Sequence, residues 1–205
     1  MQETASCLKL GKPVPDFELA VYEPLKQDFG TFRLREQIKN NRWTILFFYP
    51  ADFTFVCATE FAALAEQHDA FQELGCDIVT VSTDTQFSHL AWQRAEGELA
   101  GVKYAMAADP THKVSRLFGV YDDESGLALR GTFIISPAGV LVNSEVNLYN
   151  LGRNIDELMR KLKANLYLSK NTAEVCPAKW RKAGDRTLTP SAKLVGRVHQ
   201  AAQGA

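Results

Sequence analysis

The alternation of apolar and polar positions divides the chain into strand-like and helix-like stretches. Trp43-Thr-Ile-Leu-Phe-Phe-Tyr49 is an unbroken β-branched and aromatic run closed by Pro50. Such a run predicts a central strand buried on both faces. Residues 50–57 read as a loop, after which Phe61, Leu64, Ala65, His68 and Phe71 recur at helical spacing until Gly75 stops the pattern. Cys76-Asp-Ile-Val-Thr-Val81 predicts a second buried strand, and Gln86 to Glu96 a second helix carrying Leu90 and Trp92. Tyr104 to Ala108 reads as a short strand ended by Asp109-Pro110, and Lys113 to Phe118 as a short helix. Gly131-Thr-Phe-Ile-Ile-Ser136 and Val140-Leu-Val-Asn-Ser-Glu-Val146 flank Pro137-Ala-Gly139, which predicts a β-hairpin. Ile155, Leu158, Met159, Leu162, Leu166 and Tyr167 form the apolar face of a last helix over 155–167. Residues 1–40 carry only weak alternation, around Phe17 to Tyr22, and read as an irregular lead-in with short strands.

The resulting order is β-α-β-α-β-α, then a hairpin, then a helix. Alternating βα units imply an α/β sheet covered by helices, and the hairpin makes that sheet mixed. The expected architecture is a thioredoxin-like fold, with a central mixed sheet flanked by helices, plus a C-terminal tail. After Ser169 the composition shifts: six basic residues and one acid lie between Pro177 and Ala205. Residues 1–168 are therefore expected to form the domain. Residues 169–205 are expected to form an extended tail that packs on a partner or on the parent domain.

Composition narrows the class. Among 205 residues, 46% are hydrophobic and 23% charged, which excludes a disordered chain and allows a sizeable core without disulfide staples. The 23 basic and 24 acidic side chains leave a net charge of −1, an argument against coating nucleic acid or an anionic membrane. No apolar run approaches the roughly 20 residues needed to span a bilayer. The N-terminus lacks an apolar signal region, so a cytoplasmic location is expected, with the four cysteines reduced at rest. Any special cysteine is then catalytic or metal-binding. No Cys/His spacing resembles a zinc site, and His68, His89, His112 and His199 lack neighbours at ligand spacing, so neither a metal nor another cofactor is expected.

Cys57 draws attention by position. It lies where the loop after a buried strand meets a helix, at the sheet edge where open α/β folds place their sites. A helix N-terminus offers unpaired N–H groups and the positive end of the macrodipole, and both favour a thiolate. Thr54 adds a hydroxyl three residues earlier, and Pro50 can stiffen the loop and shield the sulfur. Against this stands the ordinary behaviour of a free cysteine as a small buried hydrophobe. A CxxC pair is absent, because residue 54 is Thr and residue 60 is Glu.

Phe48-Tyr-Pro-Ala-Asp-Phe-Thr-Phe-Val-Cys-Ala-Thr-Glu60 closely resembles the Pro-x-x-x-Thr-x-x-Cys motif of the peroxiredoxins. Val175-Cys-Pro-Ala-Lys-Trp180 resembles the resolving-cysteine motif of the typical two-cysteine subgroup, and Gly126-Leu-Ala-Leu-Arg-Gly-Thr-Phe-Ile-Ile135 is similar to that subgroup too. The three motifs stand in family order, and the resemblance runs from about Gly11 to Val198. In detail it is nearest to the bacterial alkyl hydroperoxide reductase C branch. It implies that Cys57 attacks the terminal peroxide oxygen and becomes a sulfenic acid. Thr54 would hydrogen-bond the peroxide, and Arg130 would stabilise the thiolate and the developing charge. Arg153 would join a network with Glu60. Read without the family, Arg130 is a surface charge at the hairpin edge, Arg153 a charge flanking a helix, and Glu60 a first-turn carboxylate facing the helix dipole. The resemblance also makes Cys176 of a partner subunit the resolving thiol. The disulfide so formed would be reduced by thioredoxin or by a flavoprotein disulfide reductase, in a homodimer and a ring such as a decamer. Cys76 reads as core packing and Cys7 as incidental.

Two departures stand out. The family usually has Pro after the reactive cysteine, where this chain has Ala58, and Ala is the better helix former. The Gly-Gly-Leu-Gly insertion and the C-terminal Tyr-Phe pair of overoxidation-sensitive members are not evident, which predicts relative robustness to excess peroxide. Two rival readings are a thioredoxin-like disulfide oxidoreductase and a peroxiredoxin-type holdase chaperone. The first is disfavoured by the missing CxxC.

Overall fold

The computed structural model describes residues 8–199. Its seven strands are β1 (Glu18–Glu23), β2 (Asp28–Arg33), β3 (Trp43–Phe48), β4 (Cys76–Ser82), β5 (Ala105–Ala108), β6 (Arg130–Ile135) and β7 (Leu141–Asn147). They form one sheet in the order β2-β1-β5-β4-β3-β6-β7. The pairs β3–β4 and β4–β5 are parallel, and the other four are antiparallel. The helices are α1 (Leu34–Lys39), α2 (Phe55–Glu73), α3 (Gln86–Ala95), α4 (Lys113–Leu117) and α5 (Ile155–Lys170). This is the expected mixed sheet flanked by helices.

Every residue of β3 is buried, as its nearly unbroken apolar run predicts for a strand covered on both faces. β6 is buried throughout as well, although it opens with Arg130. One face of the sheet gathers Leu46, Phe48, Val79, Val81, Phe133 and Ile135 with Phe118. The rings of Phe48, Phe118 and Phe133 lie 4.8–5.7 Å apart, mostly edge to face. Cys76 opens β4 fully buried, and that burial pushes its thiol well up from the ordinary range.

Two expectations change. The lead-in holds the expected short strands, β1 at the Phe17–Tyr22 alternation, but is not irregular: β1 and β2 pair over six residues each as an antiparallel hairpin at the sheet edge, and α1 follows directly. The loop expected over 50–57 is shorter, because α2 begins at Phe55. Thr54 is its extended N-cap residue, but the hydroxyl donates to the Ala51 carbonyl at 2.7 Å instead of capping the helix.

By internal contacts the chain divides into two compact units between Ile155 and Asp156. The compositional boundary at 168/169 lies within two residues of the end of α5, not at this division. In the second unit the segment expected to be extended folds on itself. Val175 and Leu188 exchange backbone hydrogen bonds of 2.8 and 3.1 Å, Trp180 is buried, and its ring lies 5.7 Å from that of Tyr167. Cys7 lies outside the described residues. Among the described residues, no helix is long and apolar enough to cross a membrane.

Candidate active site

Cys57 is the third residue of α2, with its side chain fully buried. Arg130, at the start of β6, donates from Nη1 to Cys57 Sγ at 3.2 Å and to Glu60 Oε2 at 2.9 Å. Its Nε donates to the Tyr149 carbonyl at 2.8 Å, which fixes the guanidinium plane from the opposite edge. Only 3% of Arg130 is exposed, so the surface-charge reading fails: β6 is an interior strand, and the side chain runs into the protein.

Glu60 lies about one helical turn beyond Cys57, at i+3 on the same face of α2. It takes two arginines. Besides Arg130, Arg153 donates to its Oε1 from Nε and from the backbone N, both at 2.9 Å, and to Oε2 from Nη2 at 2.8 Å. Arg153 Nη1 reaches the Gly131 carbonyl at 2.9 Å and Thr132 Oγ1 at 3.2 Å, and the guanidinium carbon stands 3.2 Å from the Phe47 ring centroid. Burial pulls the Arg153 guanidinium down from its ordinary range, and Glu60 works in the opposite direction. Neither Arg153 nor Glu60 is a solvated flank of a helix. Gly152 allows this close packing, because a Cβ there would stand 3.3 Å from Val56 Cγ1 in the first turn of α2.

The cluster carries two fixed positive charges and one negative charge. A Cys57 thiolate balances the sum, which is the electrostatic reason for a sulfur in this place. The Thr54 hydroxyl gives its own hydrogen to Ala51, so its lone pairs remain to accept one from a ligand. Pro50 is buried two residues after the end of β3 and forms the other end of the loop. A groove lined by Phe53, Thr54, Phe55, Ala58, Ala62 and Glu66 runs beside this turn. Among the described residues, no group of His, Cys, Asp and Glu could hold a metal ion.

The structure thus brings Cys57, Glu60, Arg130 and Arg153 into direct contact, with Thr54 and Pro50 on the adjoining loop. Sequence reasoning missed the supporting acceptors, the carbonyls of Tyr149 and Gly131, because backbone groups leave no residue-type signal. Cys176 belongs to the other compact unit and is half-buried. Desolvation, with Glu174 adding to it, pushes its thiol up. Its alkylation by iodoacetamide should therefore accelerate with rising pH along a curve centred above the roughly 8.5 of a free cysteine. Cys76 should remain unlabelled until the protein is unfolded. Peptide mapping across a pH series checks both, and labelling of native Cys76 at neutral pH would contradict its burial.

Ala58 N–H donates to the Thr54 carbonyl at 3.2 Å, the first closed turn of α2. A proline at 58 has no such donor. Ala58→Pro should weaken the hold on this turn by about 1 kcal/mol, roughly fivefold in its opening equilibrium. Hydrogen exchange at the Cys57 turn reads the effect. Unchanged protection there would mean that the bond contributes nothing.

The AhpC/TSA family pattern matches residues 10–144. Alkyl hydroperoxide reductase C of Bacillus subtilis (strain 168) is 44% identical over 191 residues, 92% of this chain and 98% of the relative. The protein of the same name from Escherichia coli (strain K12) is 45% identical over 165 residues, covering 80% and 88%. Among solved structures, Enterococcus faecalis AhpC superposes with a TM-score of 0.78 at 38% identity over 83% of this chain and 99% of that one. The reduced 2-Cys peroxiredoxin of Plasmodium vivax superposes with a TM-score of 0.84 at 31% identity, over 91% and 98%. With a buried thiol held by an arginine at the head of α2, and with this similarity along nearly its whole length, the chain belongs to the AhpC/TSA family of peroxiredoxins.

Proposed function

We propose that the protein is a thiol-dependent peroxidase that reduces hydrogen peroxide and organic hydroperoxides through Cys57. The observation that carries this reading is the 3.2 Å contact of Arg130 Nη1 with Cys57 Sγ inside a buried cluster of two guanidinium groups and one carboxylate, which favours a negative sulfur. The sulfur attacks the terminal peroxide oxygen. An S–O bond forms, the O–O bond breaks, and the departing oxygen takes a proton to leave as alcohol or water. Thr54 accepts a hydrogen bond from the peroxide O–H, and Arg130 meets the negative charge that builds along the breaking bond. Pro50 closes the loop side, and Glu60 with Arg153 fixes the plane of Arg130.

The Cys57 sulfenic acid then meets the Cys176 thiolate of a second copy of the chain. An S–S bond forms, the S–O bond breaks, and the hydroxide leaves as water after taking a proton. A buried sulfur within a helical turn cannot meet disulfide geometry there, so this turn has to open first. A dithiol protein, thioredoxin or a flavoprotein disulfide reductase, returns two electrons and two protons. Such a cycle suits a thiol-reducing compartment, the cytoplasm. The domain assignment that goes with it makes residues 169–205 the extension that delivers Cys176.

A homodimer, and a ring-shaped decamer built from it, supplies the second copy. The outer edge of β7 ends the sheet, and Val146, Leu148 and Leu151 in and just after it are exposed, which supports contact between copies along this side. The test is one equivalent of peroxide added to reduced protein, followed by non-reducing electrophoresis and peptide mapping. A covalent dimer linked through Cys57 and Cys176 is expected. Peroxide left unconsumed would overturn the peroxidase reading, and consumption with a purely monomeric product would overturn the intersubunit step.

A further inference from the structure

Beneath the Pro50–Thr54 loop lies a buried polar network that the chemistry above does not use. Tyr49, Asp52 and His89 are all at most 7% exposed. Tyr49 O–H donates to Asp52 Oδ1 at 2.7 Å, and His89 Nδ1 lies 2.9 Å from Asp52 Oδ2. His89 Nε2 lies 3.1 Å from the Ala107 carbonyl. A carbonyl only accepts, so Nε2 carries a hydrogen, and a single further proton joins Nδ1 to the carboxylate. Burial and the neighbouring Asp52 push the Tyr49 phenol up, so it stays a donor. The Asp52 backbone N–H is held as well, by Asp84 Oδ2 at 2.9 Å, and Ser82 Oγ donates to that same oxygen at 2.7 Å.

The loop needs such anchoring. Phe53 has φ +59°, a left-handed conformation that costs a non-glycine residue about 1–2 kcal/mol. Its side chain does not supply the fixing, since 58% of it is exposed. On one side of the strained residue stands Asp52, gripped by Tyr49 just after β3, by His89 of α3 and by Asp84 just after β4. On the other stands Thr54, whose hydroxyl is aimed by its bond to Ala51. Holding Asp52 therefore sets the direction in which the chain leaves for Thr54 and the first turn of α2.

We propose that Asp52, gripped by Tyr49 and His89, is a positioning residue for the Cys57 reaction: it holds the strained loop so that Thr54 Oγ1 faces the incoming peroxide. This inference rests on the peroxidase reading. The charge on Asp52 is not what matters. An asparagine at 52 could accept from Tyr49 through its Oδ1 and donate through its Nδ2 to a neutral His89, keeping every bond. Alanine keeps none.

The experiment compares two rates at Cys57 in a protein whose other cysteines are serine: single-turnover oxidation by hydrogen peroxide, and alkylation by iodoacetamide, which needs no acceptor at Thr54. Asp52→Ala should lower the peroxide rate by about 10- to 100-fold while alkylation changes less than threefold. Asp52→Asn should recover most of that loss. Tyr49→Phe removes one donor and should lower the peroxide rate by a few fold in the same selective way, and it serves if Asp52→Ala does not fold. Equal falls in both rates would mean general damage to the site and overturn the proposal, as would unchanged peroxide rates. An asparagine variant as slow as alanine would overturn the positioning role in favour of a role for the charge. A wild-type protein that alkylates at Cys57 but ignores peroxide would instead overturn the peroxidase reading on which the inference depends.

Discussion

Replacing Cys57 with serine is expected to reduce peroxide consumption to background, and replacing Arg130 with glutamine to slow it by about 100- to 1000-fold. The serine oxygen retains the position but is neither a thiolate nor able to form a stable sulfenic acid. The arginine case is more informative, because Arg130 does two things at once. Its Nη1 contacts the sulfur, and its positive charge is the one that Glu60 leaves unbalanced once Arg153 is counted. Glutamine removes both. What remains is Arg153 facing Glu60, a closed pair that leaves no free positive charge beside the sulfur. The rate should therefore collapse while the fold survives. Stopped-flow oxidation, with thermal unfolding on the same samples, separates the two effects. An Arg130→Gln enzyme within threefold of wild type would show that the guanidinium is not the group that stabilises the reacting sulfur and oxygen.

How much of this could be read along the chain depends on where each signal resides. β3 was legible because a strand buried on both faces must be apolar at nearly every position, and Trp43 to Phe48 is so apart from Thr44. Of the β1–β2 hairpin only the weak alternation at β1 was visible, because β2 is an edge strand with half its residues exposed, and its turn places Gln27 at φ +53° with no glycine to announce it. The start of α2 was put too late for a related reason: Phe55 and Val56 look like strand residues, and Thr54 spends its hydroxyl on Ala51. Cys57 could be singled out from local position alone. Its partners could not, since Arg130 and Arg153 meet Glu60 across 70 and 93 residues, and only the family resemblance brought them forward. His89 was set aside because it was tested for ligand spacing, whereas its partner Asp52 is 37 residues away and belongs to a hydrogen-bond network.

Glu60→Gln should do the reverse of Arg130→Gln and fall most heavily on stability. Glu60 is the single negative charge facing two guanidinium groups, and all three side chains are at most 4% exposed. A glutamine of the same shape keeps one carbonyl oxygen for Arg153 Nε and N–H but turns an amide N–H₂ toward both Arg130 Nη1 and Arg153 Nη2, donor against donor. Two buried cations then face each other with only a thiolate to offset them. Breaking a buried pair by removing one partner costs about 3–5 kcal/mol, and in a chain of this length that corresponds to a fall of roughly 6–20 °C in Tm. Buried charge, not lost packing, is the cause, so Glu60→Asp should also be damaging: the shorter chain keeps the charge but cannot span both arginines. The double variant Glu60→Gln with Arg153→Met removes one cation together with the anion and should recover a substantial part of the loss, which a set of independent contacts would not do. Chemical denaturation of wild type, Glu60→Gln, Arg153→Met and the double variant at neutral pH measures this coupling. A Glu60→Gln cost below about 1 kcal/mol would place these charges in the solvated range and remove the electrostatic argument for a thiolate at Cys57.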